Sequence, residues 1–446
     1  MKKILILLLT TICNASLFQV SAENYPIWLE PDSSFAIEHR IKSDFSLTLK
    51  DGLDKISELY NSIDVNDYKT FISNHYIETK VIDGVEMVHR KSPSNFKLLN
   101  PALRGSWKGR GSNPDKEDVE MVKSILSSSS GEGDIVDGKR IKYRFSIKVP
   151  KHNFLIDDTL KVWMPMPIES ARQKNVVIHS VSHQDYVISK GANTEHNTIY
   201  IEYPIKEETN DTIIFEYVGE YDTYGQYFSK AYIEKNIKPY NKYSDIYIKY
   251  TNISHKHIID CKTLAESIVG NEKCPYKQSE LIYEYISKTY PWAGAREYST
   301  IECLPQYVLD ELHGDCGQVS LLYISMMRSL GVPARWESGW MLHPWSKNLH
   351  DWAEVYFEGI GWVPVDVSFG RYVNSENENE RNFFSTGMDC YRFATNTGIC
   401  SQLYPSKKFI RSETVDFQVG EVECSKGNLF YPGWSKKLEV LSIEEI

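Results

Sequence analysis

Cys316 follows Gly314-Asp315, and apolar residues then recur at Val319, Leu322, Tyr323, Met326 and Leu330. That spacing predicts a helix, ended by Gly331 and Pro333. Asp315 is its expected N-cap, which places Cys316 in the first turn. A helix N-terminus carries partial positive charge and unsatisfied N–H groups, and such a position favours a thiolate. This stretch alone leaves a structural or buried cysteine as the alternative. A second stretch decides between them. His350-Asp351-Trp352-Ala353-Glu354-Val355-Tyr356-Phe357 alternates like a strand, Glu358-Gly359-Ile360-Gly361 reads as a turn, and Trp362-Val363-Pro364-Val365-Asp366 returns. A thiol, an imidazole and a carboxylate are what acyl transfer needs: a nucleophile, a base that later protonates the leaving amine, and an acid that orients the ring.

The register of that hairpin is testable. Pairing Phe357 with Trp362 would put His350 and Asp366 on opposite faces. A three-residue loop pairs Phe357 with Gly361 instead, so that Asp366 faces Trp352. His350 then lies diagonally across on the same face, roughly 7–8 Å away at the backbone. An odd-length turn or a bulge is therefore expected, with Gly359 or Gly361 supplying the unusual dihedrals.

Four blocks in order carry a family resemblance: Gly314-Asp315-Cys316, Ser329-Leu330-Gly331-Val332-Pro333-Ala334-Arg335, His350-Asp351-Trp352-Ala353-Glu354-Val355 and Gly361-Trp362-Val363-Pro364-Val365-Asp366. Over about residues 243–370 the chain resembles the transglutaminase-like superfamily. Val162-Trp163-Met164-Pro165-Met166-Pro167 is similar to a strand of the sandwich domain that precedes the core in many bacterial members. The resemblance implies an α+β, papain-like core with Cys316 as nucleophile, His350 as base and Asp366 as orienting acid. The backbone N–H of Cys316 would be one oxyanion donor, and Trp292 or Tyr290 lies in the region of a second. The family usually has a small residue after the histidine; Asp351 stands there, with a consequence for substrate charge preference or none if it is solvated. His313 and His343 are competing bases, but neither heads a strand with a returning Asp. Trp292, Trp340 and Trp352 are the candidate substrate-binding residues, with the other tryptophans of the motif region packing the core.

The implied activity is a cysteine hydrolase, a peptidase or amidase working through a thioester on Cys316. Its substrate would be a peptide, a protein or an amide-containing cell-wall or glycan polymer. The alternatives are a cross-linking transglutaminase with an amine acceptor, and a non-catalytic peptide- or glycan-binding protein with a vestigial triad. No cofactor and no metal is expected: there is no EF-hand pattern and no CxxC pair.

The elements around these motifs divide the chain. Residues 23–135 form an N-terminal, partly helical region, with Leu53, Ile56, Leu59 and Tyr60 on one helix face. Asp83-Gly84 marks a hairpin turn, and a helix is expected over about 116–126. Gly109-Arg110-Gly111 lacks both a leading strand and a following GKS or GKT, so it reads as a plain loop. A polar break at Ser127–Gly133 precedes residues 136–230, where period-two alternation begins at Ile141, Tyr143, Phe145, Ile147 and Val149. Further strands at 160–168, 176–181, 198–203 and 212–218 predict an antiparallel β-sandwich. The core over 243–370 opens with helices near 264–270, 281–289 and 303–312. Residues 371–446 are read as a C-terminal extension stapled to the core by disulfides, with an acidic solvated loop at 374–382.

Composition agrees with a folded, multi-domain chain of 446 residues. A net charge of −10 without a basic block excludes a phosphate-backbone binder, so nucleic acid is not an expected partner. Met1–Ala22 reads as a signal peptide: Lys2 and Lys3, a short apolar run, and Val20-Ser21-Ala22 at the cleavage site. A lipid-bearing Cys13 is disfavoured because Ile12 precedes it. No stretch is long enough for a transmembrane segment. The expected location is outside the cytoplasm, in the periplasm or at the cell surface. Seven cysteines then remain, all after residue 260, and an exported chain pairs its cysteines. An odd number leaves at least one free thiol.

Overall fold

Alternation of large apolar and polar side chains builds the longest ladder in the molecule. The strand Glu132–Pro150 pairs antiparallel with Thr212–Phe228, from Thr212 opposite Pro150 to Phe228 opposite Glu132. Ile141, Tyr143, Phe145, Ile147 and Val149 are all fully buried on its inner face. The computed structural model describes residues 26–105, 114–189, 195–207, 209–370 and 375–446. The expected signal peptide with Cys13, the Gly109-Arg110-Gly111 loop and the start of the acidic insertion lie outside them.

The predicted sandwich is present, and it draws strands from three parts of the chain. One sheet adds Ser435–Glu445 to the free edge of Glu132–Pro150, while Gln173–Val181 and Gly387–Met388 pair with Thr212–Phe228. The facing sheet runs Leu29–Glu30, Gly427–Leu429, Glu421–Cys424, Thr159–Met166, Asn197–Pro204 and Tyr186–Ser189. Residues of both inner faces interdigitate in one apolar cluster, among them Phe145, Val162, Met164, Ile201, Phe215, Val422 and Leu438. Cys261, Cys274, Cys303, Cys316, Cys390, Cys400 and Cys424 stand as free thiols in this structure, so the expected staple is not formed in it. Backbone ladders fasten the C-terminal strands.

The core segment packs helices Lys262–Val269, Pro275–Thr289, Leu304–Glu311 and Cys316–Ser329 on a four-stranded sheet. That sheet runs Gly361–Val365, Ser346–Phe357, Ala334–His343 and Arg392–Asn396. Ala353, Val355 and Phe357 of the central strand meet Val319, Leu322 and Met326 of the last helix in a single cluster. Strand alternation turns Trp352 and Glu354 to the opposite face, toward the sandwich. There Arg172 is the joint between the two bodies. Its guanidinium lies 2.7 Å from Glu337 and 2.8 Å from Glu354, and Trp352 Nε1 donates to the same Glu337 at 2.6 Å.

The N-terminal region has its own small core of Ile56, Ile77, Val88 and Phe96. Helices Ser33–Asp44, Leu49–Leu59 and Ser92–Leu99 surround a three-stranded sheet. Asp83 and Gly84 form its hairpin turn with φ of 50° and 79°, as two-residue hairpins require. The region docks on the core through the segment just before Cys316. Asn95 brackets Gly294, accepting from its N–H and donating to its carbonyl, both at 2.9 Å. Lys91 Nζ donates to the Ala295 carbonyl at 2.7 Å, and Arg296 pairs with Glu78 at 3.0 Å.

Candidate active site

Helix Cys316–Ser329 begins with a reciprocal cap. Asp315 Oδ1 accepts the Gln318 N–H at 3.1 Å, and Gln318 Oε1 accepts the Asp315 N–H at 3.0 Å. Cys316 is the first helical residue, and Tyr298 OH donates to the same Asp315 carboxylate at 2.6 Å. The residue beside the thiol has little room: a Cβ on Gly317 would stand 2.3 Å from Tyr298 OH and 2.8 Å from Asp351 Oδ2.

The hairpin takes the register that the arithmetic required. Phe357 pairs with Gly361 and Ala353 with Val365, leaving a three-residue loop. Gly359 and Gly361 have φ of 87° and 107°. His350 and Asp366 are thereby brought together, with Nε2 2.7 Å from Oδ2. Asp366 Oδ1 accepts the Ser368 N–H at 3.1 Å, and Arg392 Nη1 lies 2.9 Å from Oδ2. Burial opposes the Asp366 charge, but His350 and Arg392 outweigh it and hold the carboxyl below its ordinary value. With Nε2 engaged by Asp366, Nδ1 is the ring atom left to exchange a proton.

Cys316 does not hydrogen-bond to His350. Its thiol donates to Asp351 Oδ2 at 3.4 Å, while Gln418 Nε2 donates to Asp351 Oδ1 at 2.7 Å. The cause is alternation along the strand: the side chain after the histidine turns toward the helix that begins at Cys316. Burial, then Asp351 and Asp315, push the Cys316 thiol well above its ordinary value. Burial, then Asp416 and Asp315, do the same to the Asp351 carboxyl. Both shifts favour the protonated forms, and the carboxyl groups beside Cys316 oppose a thiolate there. Replacing Asp351 by the small alanine removes both the acceptor and a nearby negative charge. Alkylation of Cys316 in Asp351→Ala is expected to rise at pH 7, with its pH profile moved to lower pH. Peptide-resolved iodoacetamide kinetics check this; an unmoved or upward-moved profile contradicts it.

The thiol opens on a cleft of about 330 Å³. Trp292, Gly294, Ala295, Arg296, Glu297, Tyr298, Asp315, Cys316, Asn348, Leu349 and Asp351 come from the core. Arg90 and Lys91 come from the N-terminal region, and Glu413, Thr414, Asp416, Gln418, Val419, Tyr431 and Lys436 from the C-terminal stretch. Of the three candidate tryptophans only Trp292 lines this cleft. Trp340 sits behind it, donating to the Gln418 carbonyl at 2.9 Å. Trp352 is fully buried beneath the site, its ring stacked near His350 with centroids 6.2 Å apart and lying 5.2 Å from the Arg392 guanidinium. The competing His343 is buried between Asp118 and Asp389, at 3.2 and 3.3 Å. Sequence reasoning missed Asp416 and Gln418, which lie in an irregular stretch with no periodic signal. Among the described residues, no group of three or more His, Cys, Asp or Glu side chains is arranged to hold a metal ion.

Residues 262–367 match the family model of the transglutaminase-like superfamily, so the chain carries a transglutaminase-like α+β core. It is 23% identical over 255 residues to a protein of Haemophilus influenzae described as uncharacterized, covering 50% of this chain and 66% of that one. It is also 23% identical over 160 residues to the uncharacterized protein YebA of Bacillus subtilis, covering 32% of this chain and 21% of that one. The chain thus spans less than two thirds of the length of either relative. Among solved structures, a Cytophaga hutchinsonii chain described as a "Putative Cysteine Protease" aligns with TM-score 0.48 and 14% identity, over 70% of this chain and 93% of that one. The periplasmic domain of TgpA from Pseudomonas aeruginosa aligns with TM-score 0.25 and 13% identity, over 56% and 92%. Among the described residues, no helix is long and apolar enough to cross a membrane.

Proposed function

We propose that the protein is an exported cysteine hydrolase of transglutaminase-like type, which cleaves a peptide or amide bond through a thioester on Cys316. The observation that carries the reading is the His350–Asp366 pair at 2.7 Å on the strand beside a capped helix whose first residue is Cys316. The Met1–Ala22 pattern supports export.

Strand alternation places His350 and Asp351 on opposite faces, with Asp351 on the thiol, so the reaction requires substrate entry to release the thiol from Asp351 and to bring the His350 imidazole round to it. His350 Nδ1 takes the Sγ proton while Asp366 holds Nε2–H. Sγ adds to the carbonyl carbon, and the oxyanion forms at the helix N-terminus, where the Cys316 N–H is one donor. The C–N bond breaks, His350 returns its proton to the leaving amine, and a thioester remains. Water, deprotonated by the same imidazole, adds to the thioester and expels the Cys316 thiolate with a carboxylic acid as product. A primary amine in place of that water would give transamidation.

The test is the mass of the protein quenched during incubation with an activated acyl ester. The expected result is one acyl group on Cys316, discharged by water and unaccelerated by a primary amine. Discharge that depends on the amine would make the protein an acyltransferase. No adduct on Cys316 would leave the binding-protein reading.

A further inference from the structure

Five carboxyl groups line the cleft around Cys316, and four of them have hydrogen-bond donors from other residues: Glu297 accepts from Ser299 Oγ at 3.3 Å. Asp315 caps the helix and accepts from Tyr298. Glu413 accepts the backbone N–H groups of Gln418, Val419 and Gly420, at 2.9, 2.9 and 3.1 Å. Asp351 takes Cys316 and Gln418. Asp416 is different. It is 9% exposed and lines the cleft, yet among the described residues its carboxylate receives no hydrogen bond beyond its own amide. The cation that favours its ionisation is Arg411, whose guanidinium is committed to the backbone carbonyls of Ser401 and Asp416 and lies 3.6 Å from Glu421.

A largely buried carboxylate whose one donor is its own amide is poorly compensated, and a ligand cation in the cleft would stabilise its charge. Burial raises Asp416 to about 6, and Asp416 in turn helps hold Asp351 up. The protein's own cations along the cleft are engaged elsewhere. Lys91 is held by Ala295, Arg90 by Asp44 at 3.1 Å, and Arg296 by Glu78. Lys436 Nζ lies 5.2 Å from the Tyr431 ring centroid. Among the described residues the carboxyl groups are not arranged to chelate a metal ion, and the cation that suits a single carboxylate pair is an organic one.

We propose that Asp416 and Asp351 form a subsite for an ammonium group of the substrate, carried next to the carbonyl that Cys316 attacks. The proposal rests on Cys316 being the nucleophile and adds the substrate's class: amides of amine-bearing residues, with the cation close to the scissile bond. A bound ammonium also neutralises the field that keeps Cys316 protonated, so the right substrate helps to generate the thiolate that attacks it.

The test uses two thiol reagents with one reactive group and opposite charges, aminoethyl and sulfonatoethyl methanethiosulfonate. Each forms a disulfide with Cys316 and expels methanesulfinate, and peptide mass separates Cys316 from the other six thiols. The cation-to-anion rate ratio at Cys316, divided by that of N-acetylcysteinamide, is expected to exceed unity by about tenfold at low salt. Asp416→Asn should reduce that preference at least about threefold, and Asp351→Asn should reduce it independently. A normalised ratio of one, or a preference unchanged in both variants, overturns the subsite and leaves the nucleophile standing. Failure of both reagents to modify Cys316 overturns the nucleophile and the subsite together.

Discussion

Cys316→Ala is expected to remove hydrolysis of any amide substrate, a fall of at least about ten-thousand-fold in kcat/KM, with the unfolding midpoint unchanged. The size follows from the chemistry. Without Sγ there is no thioester, and the capped helix and the His350–Asp366 pair have nothing to activate. The unchanged stability follows from the position. Cys316 is the first residue of its helix and opens on the cleft, and alanine is the best helix former. The companion His350→Ala leaves the thiol in place and is expected to slow its alkylation. Retained turnover in Cys316→Ala would move the chemistry to another group. Unchanged alkylation in His350→Ala would show that the imidazole does not act on the thiol.

The second large effect is structural. Arg172→Met is expected to destabilise the folded protein by about 3–5 kcal/mol, because it leaves two buried carboxylates without their shared cation. Glu354 keeps Arg335, whose Nε donates to it at 2.6 Å, but Glu337 keeps only the Trp352 indole. The pH dependence has a definite sign. In the parent, burial opposes the Glu354 charge and Arg335 and Arg172 overcome it, holding Glu354 below its ordinary value. Its ionised form stabilises the fold above the unfolded pKa, and that contribution is lost as pH falls through the folded value. Without Arg172, burial dominates and both folded values rise, so that ionisation costs stability as pH rises through them. The deficit should grow from pH 5 to pH 8 in urea titrations of parent and variant. A deficit under 1 kcal/mol, or one that shrinks with pH, would contradict the role given to Arg172.

The parts of the site that were legible are those set by local repeats. Asp315 as cap, Cys316 in the first turn and the His350–Asp366 register all follow from helix period, strand period and one loop length. Each is decided within a few residues. Asp351 was visible as a departure from a small residue, and the alternation that turns His350 toward Asp366 also turns Asp351 toward the thiol. Asp416 and Gln418 were not legible. They stand in an irregular stretch, and only the ladders of Glu421–Cys424 and Ser435–Glu445 bring them to the cleft. Pairing across such sequence separation leaves no period to read. The disulfide expectation had another source: it came from the export reading and from seven cysteines all lying after residue 260. Trp340 and Trp352 show a further limit, since aromatic type does not tell a wall of the cleft from its foundation.

The strand Glu132–Pro150 has one neighbour about 80 residues downstream and another that begins at Ser435. Translation therefore makes Cys316, His350 and Asp366 well before it makes Asp416, Gln418 or the strand that seals the sandwich. At every intermediate length the thiol lacks one wall of its cleft and the acid network above it. Completion of the cleft is in this sense scheduled by synthesis. A nascent chain can expose its Cys316 thiol, but it cannot assemble the pocket around it until the residues beyond 413 have emerged and zipped into both sheets.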